Sequence, residues 1–559
     1  MKNSKFTLFA GLMLVLSVIL AACGGNSDNS SEKKSTGTKL AEKQEISIMS
    51  KSEIPVMDSV KTTDTVGFNY LNNVNEGLYT IDKDGETVPA LVDGEPEISK
   101  DGKTYTFKLI DSKWSNGDPV TANDFVFAFK RAMDPEVASE YGPYMMNGKI
   151  AGASEITNAA AKKKSYDLDS LGVQAIDDKT LAITFEKPLA YWKEYLSFAT
   201  FFPQNEKFVK EQGDKYATSA DTLLYNGPFV MSSWNGPTAT EWELQKNTNY
   251  RDADSVKLEK ITVNVSKDNN AQVNAFEAGE ADITDLLTSD LVPQYEGDER
   301  LQSNLAPTVF WMKMNQKNEA LANVNIREAL AKAFNKEDLA TSVLGDGSVA
   351  ANYFVPKDFV SYDGKDFRSE NEDLITFNAE EAKTAWEKGL KELGVKDLTL
   401  SYMGDETDSA KKIAEYMKNQ LEKNLPGLTI KVESVPFSIR LDRTKNFDYD
   451  LVVSGWGPDY KDAISFTDLW LTGGTNNEMD YSNPKYDALI NKATTELTDD
   501  PAAYAKAMQD AEKLFLTEDF GIAPIYQRVE NILVNPKIKG IVKSDLGPHY
   551  FYKGVTVVE

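Results

Sequence analysis

The chain carries LTLSYMGDETDSAKKIAEYMKNQLEKNLPGLTIKVESV over residues 398–435 and then DLVV at 450–453. Apolar residues alternate at 398–400 and again at 428–435, which predicts two strands. Between them, apolar residues recur at helical spacing from 410 to 425, and a Pro-Gly pair ends that pattern. The DLVV run predicts a further strand. Strand, helix and strand in this order form the β-α-β unit of a parallel sheet, so this stretch predicts an α/β fold.

The same two patterns continue in both directions along the chain. Thr121, with Asp124 three residues later, is a capping signal at the start of one helix. Neither an internal repeat nor a glycine-rich phosphate-binding motif occurs in the sequence. The further predicted elements are strands at 45–50, 104–109, 181–185 and 261–265, and helices at 122–133, 325–334 and 502–516.

The amino terminus has the layout of an export signal. A positively charged start precedes an apolar run at 6–20, which is shorter than the about 20 residues that cross a bilayer. The run ends in LAAC at 20–23, which resembles the bacterial lipobox, where a diacylglycerol is attached to the cysteine. We expect residues 1–22 to be removed and Cys23 to hold the protein at the membrane by its lipid; the alternative is an ordinary signal peptide with a chance cysteine. Residues 23–43 are small, polar and charged, and predict a flexible tether.

Charge and composition limit the classes of function. The formal net charge of −26 argues against nucleic acid as a partner, since that needs basic patches, and solubility explains it. Cys23 is the single cysteine, so no internal disulfide forms. His549 is the single histidine, which excludes a Cys-His protease and a histidine-rich metal site. A Ser-His-Asp triad would have to use His549. Paired carboxylates remain formally open, but Asp and Glu are so abundant that no particular pair is indicated. We expect neither an enzyme nor a cofactor.

Seven segments match one protein family in its order along the chain. Through them the chain resembles the extracellular solute-binding proteins of oligopeptide ABC transporters (solute-binding protein family 5), the large three-domain type, in their Gram-positive lipoprotein form. WSNGDPVTANDFV is the most specific segment, and the seven together carry the resemblance. They are EIPVMD (53–58), NVNEGLY (73–79), WSNGDPVTANDFV (114–126), NGPF (226–229), FEAGEAD (276–282), NIREAL (325–330) and GWGPDY (455–460).

The resemblance implies a two-lobed, three-domain α/β fold of the periplasmic-binding-protein type (class II, cluster C), with the ligand cleft between the lobes. The chain is expected to cross between the main lobes twice, near 312 and 527. Two crossings make a hinge, on which the lobes close over a ligand. The implied boundaries are 44–65 with 215–312 and 527–559 for the first domain, 66–214 for the second, and 313–526 for the third.

The resemblance also implies where a peptide's amino end binds. In this family the residue at Asp459 takes the free amino group of the peptide, and an ammonium with three donors needs an ionised acceptor. Trp456 is expected to wall the site. Gly455 and Gly457 are expected to leave the backbone open to close approach. The alternative for Asp459 is a turn residue beside Pro458.

Main-chain pairing is expected to hold the rest of the peptide as an added strand. By resemblance, the two protein edges are Ser52-Glu53-Ile54 and Ser454-Gly455-Trp456-Gly457. Glu53 is a further candidate acid near the first peptide residues, and Tyr460 completes the set of candidate ligand-binding residues.

One position departs from the family pattern. Short-peptide binders of this family have an arginine three positions before the tryptophan, where it helps to hold the peptide carboxylate, and this chain has Val453 there. Arg440, Arg443 and Lys445 are near in sequence. The departure predicts longer peptides with a less strictly held carboxyl end.

The expected function is peptide capture and delivery to the permease subunits of an ABC transporter, by a monomer lipid-anchored at the extracellular face of the cell membrane. In the same fold, a peptide pheromone, haem or a metal chelate remain alternative ligands. A surface hydrolase and a surface adhesin are the rivals from other classes. The scarce histidine argues against the first, and the absence of stalk-like repeats argues against the second.

Overall fold

A computed structural model of the protein describes residues 39–83, 85–189, 191–370, 373–498, 500–544 and 550–559. The predicted signal peptide at 1–22, the lipidation site Cys23 and the single histidine His549 lie outside the described residues. The compact body extends over Leu40–Glu559.

The folded body begins earlier than the predicted end of the tether at residue 43. Leu40 forms an antiparallel bridge with Val558, and the Ala41 N–H donates to the Val557 carbonyl at 2.9 Å. The predicted boundary is therefore corrected to Leu40, because these backbone groups are satisfied by the carboxyl-terminal segment and not by water.

Three sheets form the framework. Sheet A pairs its first two strands parallel and the rest antiparallel, sheet B is antiparallel, and sheet C mixes a parallel half with an antiparallel half. In spatial order, sheet A contains Glu45–Ser50, Lys260–Val265, Glu241–Lys246 and Phe229–Ser233; sheet B contains Glu97–Ile98, Thr104–Lys108, Thr180–Thr184 and Val173–Asp177; sheet C contains Val349–Ala350, Ile522–Leu533, Leu301–Met314, Leu451–Trp456, Leu398–Asp405 and Leu428–Val435.

Helices cover these sheets and bury apolar stripes in one continuous core. The predicted helices and strands are confirmed, within a few residues at their ends. Ala122–Met133 matches its prediction at both ends, because the Thr121–Asp124 capping box forms as expected. The helices of six or more residues are Thr65–Val74, Ala122–Met133, Tyr141–Met146, Ala153–Ala161, Glu206–Gln212, Asn269–Glu277, Val324–Lys332, the π-helix Leu339–Leu344, Ala379–Leu393, Asp408–Asn424, Phe437–Lys445, Pro484–Glu496 and Pro501–Thr517.

Two long antiparallel strands, Leu301–Met314 and Ile522–Leu533, connect the neighbourhood of sheet A to sheet C. At one end, Ile283 bridges both a strand of sheet A and the residue that follows Leu533. At the other end, the same pair forms the middle of sheet C. The two predicted crossings near 312 and 527 fall in these strands, and the domain boundaries and hinge motion stay predictions.

The register of this strand pair breaks between Leu305 and Val309. Gln527 is fully buried opposite the break, and its side-chain amide donates to the Ala306 carbonyl at 3.0 Å. The irregular backbone is thus held by a side chain and keeps its hydrogen bonds.

Among the described residues, no helix is both long enough and apolar enough to cross a membrane.

Candidate functional site

Asp459 lies in the turn after the strand Leu451–Trp456, and only 6% of it is exposed. The Tyr144 hydroxyl donates to Oδ2 at 3.0 Å, and the Tyr141 hydroxyl donates to Oδ1 at 3.3 Å. Both tyrosines belong to the helix Tyr141–Met146, where a spacing of three residues places them on one side. An ionised carboxylate has about four acceptor positions, so this one retains capacity for a further donor.

Buried negative charge accumulates around Asp459. Burial raises the pKa of Asp459 to about 7; the two tyrosine hydroxyls oppose this rise, and the charge of Asp468 adds to it. Burial also raises the pKa of Asp462 to about 6, and it raises the pKa of Asp468. The Lys149 ammonium lies 3.6 Å from Asp468 Oδ2. The positive charge of Lys149 acts to lower the pKa of both Asp459 and Asp468.

Trp456 and Tyr460 flank Asp459 in different ways. The Trp456 indole N–H donates to the Ser465 carbonyl at 2.9 Å, and its ring meets the Tyr144 ring edge-on at 6.2 Å. Trp456 therefore lies against a tyrosine that holds Asp459, and its role as a wall of the site stays a prediction. Tyr460 is fully buried, and its hydroxyl donates to Asp468 Oδ2 at 3.3 Å. Its ring stacks on Tyr191 at 4.8 Å, so its described contacts are with the protein interior.

The strand Leu451–Trp456 has one partly open edge. On one side it pairs with the neighbouring strand from Leu451 through to Trp456. On the other side only Leu451 and Val452 have partners in the strand Leu398–Asp405. The edge from 453 to 456, which includes the predicted Ser454, therefore has no strand partner on this side within the described part of the chain, and pairing of a peptide there stays a prediction.

The two glycines of this segment serve close packing. A Cβ on Gly455 would lie 2.7 Å from the Phe310 ring, which itself stacks on Tyr526 at 4.6 Å. A Cβ on Gly457 would lie 3.2 Å from the Thr308 hydroxyl. Gly455 thus admits the Phe310 ring against the strand.

The second predicted edge, Ser52-Glu53-Ile54, follows the first strand of sheet A, begins in a bend, and belongs to none of the described sheets. The Ser52 carbonyl accepts from the Ser50 hydroxyl at 2.8 Å, and Ile54 is fully buried. The Glu53 carboxylate lies 3.4 Å from the Lys267 ammonium. The described ion pair of Glu53 is therefore formed with a lysine of the protein itself, and the role of Glu53 toward a ligand stays a prediction.

The cations near Val453 in sequence are engaged with acids. Arg440 donates to Asp405 Oδ1 at 2.7 Å, and Arg443 lies 2.7 Å from Glu433 Oε2. Lys445 lies 2.6 Å from a carboxylate oxygen of Glu140. Each of these three cations is therefore already paired with an acidic side chain of the protein.

A small cavity lies beside Asp459, with room for roughly one water molecule. Its walls come from distant parts of the chain, namely Asn72, residues 197–199 and Phe551. Sequence reasoning missed these residues, and it also missed Tyr141, Tyr144 and Lys149. No local pattern marks them, because they meet Asp459 only through the fold. Across the described part of the chain, no group of acids, histidines and cysteines is arranged to hold a metal ion.

Comparison with known proteins gives consistent matches. Residues 86–478 match the profile of the bacterial extracellular solute-binding proteins, family 5. The chain is 33% identical to a dipeptide-binding protein of Lactococcus lactis over the full length of both chains. It is 41% identical to the solved Listeria monocytogenes OppA bound to peptide, with a TM-score of 0.85, covering 93% of this chain and 100% of the other. The solved pheromone receptor PrgZ is 32% identical with a TM-score of 0.85, covering 92% of this chain and all of that one.

Proposed function

This chain belongs to the family of bacterial extracellular solute-binding proteins, family 5, and we propose that it captures oligopeptides and delivers them to an ABC transporter. The predicted α/β periplasmic-binding-protein fold is confirmed by the likeness to solved members over most of the chain. The family consists of binding proteins and not of enzymes, so the mechanism is binding, closure, docking and release.

The observation that carries the proposal is the buried Asp459 carboxylate beside an open strand edge. A peptide's α-ammonium has three donors, and the carboxylate has acceptor capacity beyond its bonds to Tyr141 and Tyr144. Charge-assisted bonds of this kind contribute about 1.5–3 kcal/mol each. The ammonium also offsets the surplus negative charge around Asp459.

The open edge supports the second part of the proposal. A peptide whose amino group reaches Asp459 can run beside residues 453–456 as an added strand. Its N–H and C=O groups then pair with the protein main chain, whatever its side chains are. This geometry favours binding of many sequences over one sequence.

A series of peptides from two to about ten residues tests both the function and the expected length. We expect calorimetric titration to give binding to several unrelated sequences, with affinity rising beyond four residues. Val453 supplies no charge for the carboxylate of a short peptide, and each added residue contributes main-chain bonds. Tightest binding to tripeptides would contradict the length prediction. No binding at any length would contradict the function, and haem or a metal chelate would then be tested as the ligand.

A peptide pheromone is the second candidate ligand, and the 32% identity to the pheromone receptor PrgZ favours it. It requires no change in architecture, since a pheromone is itself a peptide. Native mass spectrometry of the purified protein separates the two candidates. A mixture of masses indicates general uptake, and a single dominant peptide indicates a dedicated signal.

Lipid attachment at Cys23 is also part of the proposal, supported by the LAAC sequence at 20–23 and the apolar run before it. Two acyl chains suffice for stable anchoring at roughly 0.8 kcal/mol per buried CH₂. We expect Cys23→Ser to move the protein from the membrane fraction to the medium, measured by immunoblotting of both fractions. Ala22→Ser, which retains a small residue before the cysteine, is the control. Retention of Cys23→Ser in the membrane would refute the lipid anchor.

A further inference from the structure

Lys149 comes from a distant part of the chain and places its ammonium group in the acidic pocket, the buried group formed by Asp459, Asp462 and Asp468. It lies between the helices Tyr141–Met146 and Ala153–Ala161, and its side chain is only 15% exposed. Its Nζ lies 3.6 Å from Asp468 Oδ2, and the Asp468 side chain is only 10% exposed. The other oxygen of Asp468, Oδ1, is buried and has no hydrogen-bond partner among the residues that the structure describes.

Aromatic rings surround the same ammonium. Its Nζ lies 5.8 Å from the centre of the Tyr144 ring and 6.0 Å from that of Tyr195, distances at which a cation is attracted to a ring face. The Tyr144 hydroxyl, at the far end of the first ring, is the group that donates to Asp459. Lys149 therefore contacts both the acid beside the site and the side chain that holds Asp459.

The charge balance explains why a cation is needed at this place. Burial raises the pKa of Asp459, Asp462 and Asp468, and the positive charge of Lys149 acts to lower the pKa of Asp459 and Asp468. Titratable groups from the surrounding elements that bear on the pocket are Asp64, Glu140, Tyr141, Tyr144, Tyr191, Tyr195, Tyr362, Tyr460 and Tyr504. Tyrosines carry no charge near neutral pH, so they offset none of the negative charge.

We propose that Lys149 is the built-in counter-ion of this pocket and acts as a positioning residue that keeps Asp459 ionised and ready for a peptide's amino group. The inference rests on the proposed function, and it adds a residue that acts on the ligand only through Asp459.

Lys149 has two opposing electrostatic effects on the binding of a peptide's amino group. It favours the ionised form of Asp459, and it repels the incoming ammonium. The lysine repels an incoming ammonium, but it is itself paired with Asp468. The ammonium would contact Asp459 directly, at a hydrogen-bond distance of about 2.8 Å. Coulomb energy falls with distance, so contact at this distance attracts the ammonium strongly, and the charge of Asp468 offsets part of the repulsion by Lys149. A protonated Asp459, by contrast, removes that contact altogether.

The test is the pH dependence of affinity for a free-amine peptide between pH 5.5 and 8.5. In the unchanged protein, affinity should fall as the pH drops through about 7, because a proton then competes with the ammonium for Asp459. Lys149→Met should move this fall to higher pH and weaken binding at pH 7, because it removes a positive charge that lowers the pKa of Asp459. The peptide amine titrates identically for both proteins, so the change of their affinity ratio with pH reports the titration of Asp459, whereas the loss of repulsion by Lys149 changes the ratio equally at every pH.

The double variant Lys149→Met with Asp468→Asn separates charge balance from packing. It removes both members of the pair, so its pH profile should return to within about half a unit of the original. An unshifted profile for Lys149→Met would overturn the inference, as would a double variant no better than the single one. If the single variant fails to fold, the same profile measured on Asp468→Asn should shift to lower pH, and no shift there would overturn the inference.

The proposed function and this inference fail in different ways. Equal binding of free-amine and N-acetylated peptides by the unchanged protein would remove the amine role of Asp459. A strong preference for the free amine, together with a pH profile that Lys149→Met leaves unchanged, would support the proposed function. It would overturn only the counter-ion role of Lys149.

Discussion

Asp459→Asn is expected to weaken the binding of free-amine peptides by about 2–4 kcal/mol, roughly 30- to 1000-fold. The amide can accept one bond from the ammonium but carries no charge, and the ligand's own charge is then left buried. One of the two tyrosine hydroxyls can still donate to the amide oxygen, and the other can accept from the amide NH2 group, so the pocket keeps its shape. Calorimetric titration with one peptide in free-amine and N-acetylated form measures the effect.

The acetylated peptide should lose less than about threefold on the same substitution, because it presents no ammonium. Asp462→Asn is the matched control: that carboxylate is equally buried, but it accepts from the Tyr504 hydroxyl at 2.8 Å and the Ile464 N–H at 2.9 Å. It should leave the preference for a free amine in place. Equal losses for both peptides on Asp459→Asn would refute the amine assignment.

The thermal stability of Asp459→Asn shows whether its loss of peptide binding results from unfolding. The folded pKa of Asp459 is raised to about 7, so between about pH 4 and 7 the folded state binds a proton that the unfolded state releases. The contribution of Asp459 to stability is therefore present at low pH and is lost as the pH rises through 7. The variant Asp459→Asn has no carboxyl group at this position and so does not lose stability in this way as the pH rises. At pH 8 it should therefore unfold at the same temperature as the original protein or higher.

Arg368→Met is expected to produce the largest loss of stability, about 3–5 kcal/mol. Arg368 and Glu512 form an ion pair whose side chains are 2% and 0% exposed. Glu512 also accepts from the Phe354 and Val355 N–H groups at 2.9 Å. Removing the arginine leaves a buried charge without its counter-ion. At about 2 °C per kcal/mol, the thermal unfolding midpoint should fall by roughly 6–10 °C.

The helix Pro501–Thr517, which carries Glu512, also supplies a matched control. Lys506 and Asp510 form an exposed pair one turn apart, so Lys506→Met should shift the midpoint by about 1 °C or less. The double variant Arg368→Met with Glu512→Gln should recover part of the loss, since it removes the stranded charge. A fall of less than 2 °C for Arg368→Met would contradict the buried-pair account.

Local patterns predicted most helices and strands, because capping and apolar spacing act over a few residues. The strand at 450–453 was predicted too short, since glycine is depleted in strands and Gly455 hid its continuation to Trp456. The structure supplies the reason that glycine is tolerated there: the Phe310 ring occupies the place of a Cβ. The tether was predicted too long, because the partners of Leu40 and Ala41 lie at the other end of the chain.

The residues of the candidate site also fall into two groups, those that the sequence indicated and those that only the structure revealed. Resemblance in sequence pointed to Asp459 and Trp456, which belong to one short segment with a recognisable pattern. Tyr141, Tyr144 and Lys149 lie more than 300 positions away, and nothing in their neighbourhood marks them. They reach the site because the fold lays the helix Tyr141–Met146 against the turn after the strand Leu451–Trp456.

Family membership and the order of secondary structure could be obtained from the amino-acid sequence, which also pointed to Asp459 as the candidate acid for a peptide's amino group. The state of that acid could not. Whether Asp459 is ionised depends on burial, on the hydroxyls of Tyr144 and Tyr141, on the charge of Asp468, and on the ammonium of Lys149. Desolvation and Coulomb energy depend on distance in space and not on separation along the chain, so only the folded arrangement sets the charge that a peptide's amino group meets.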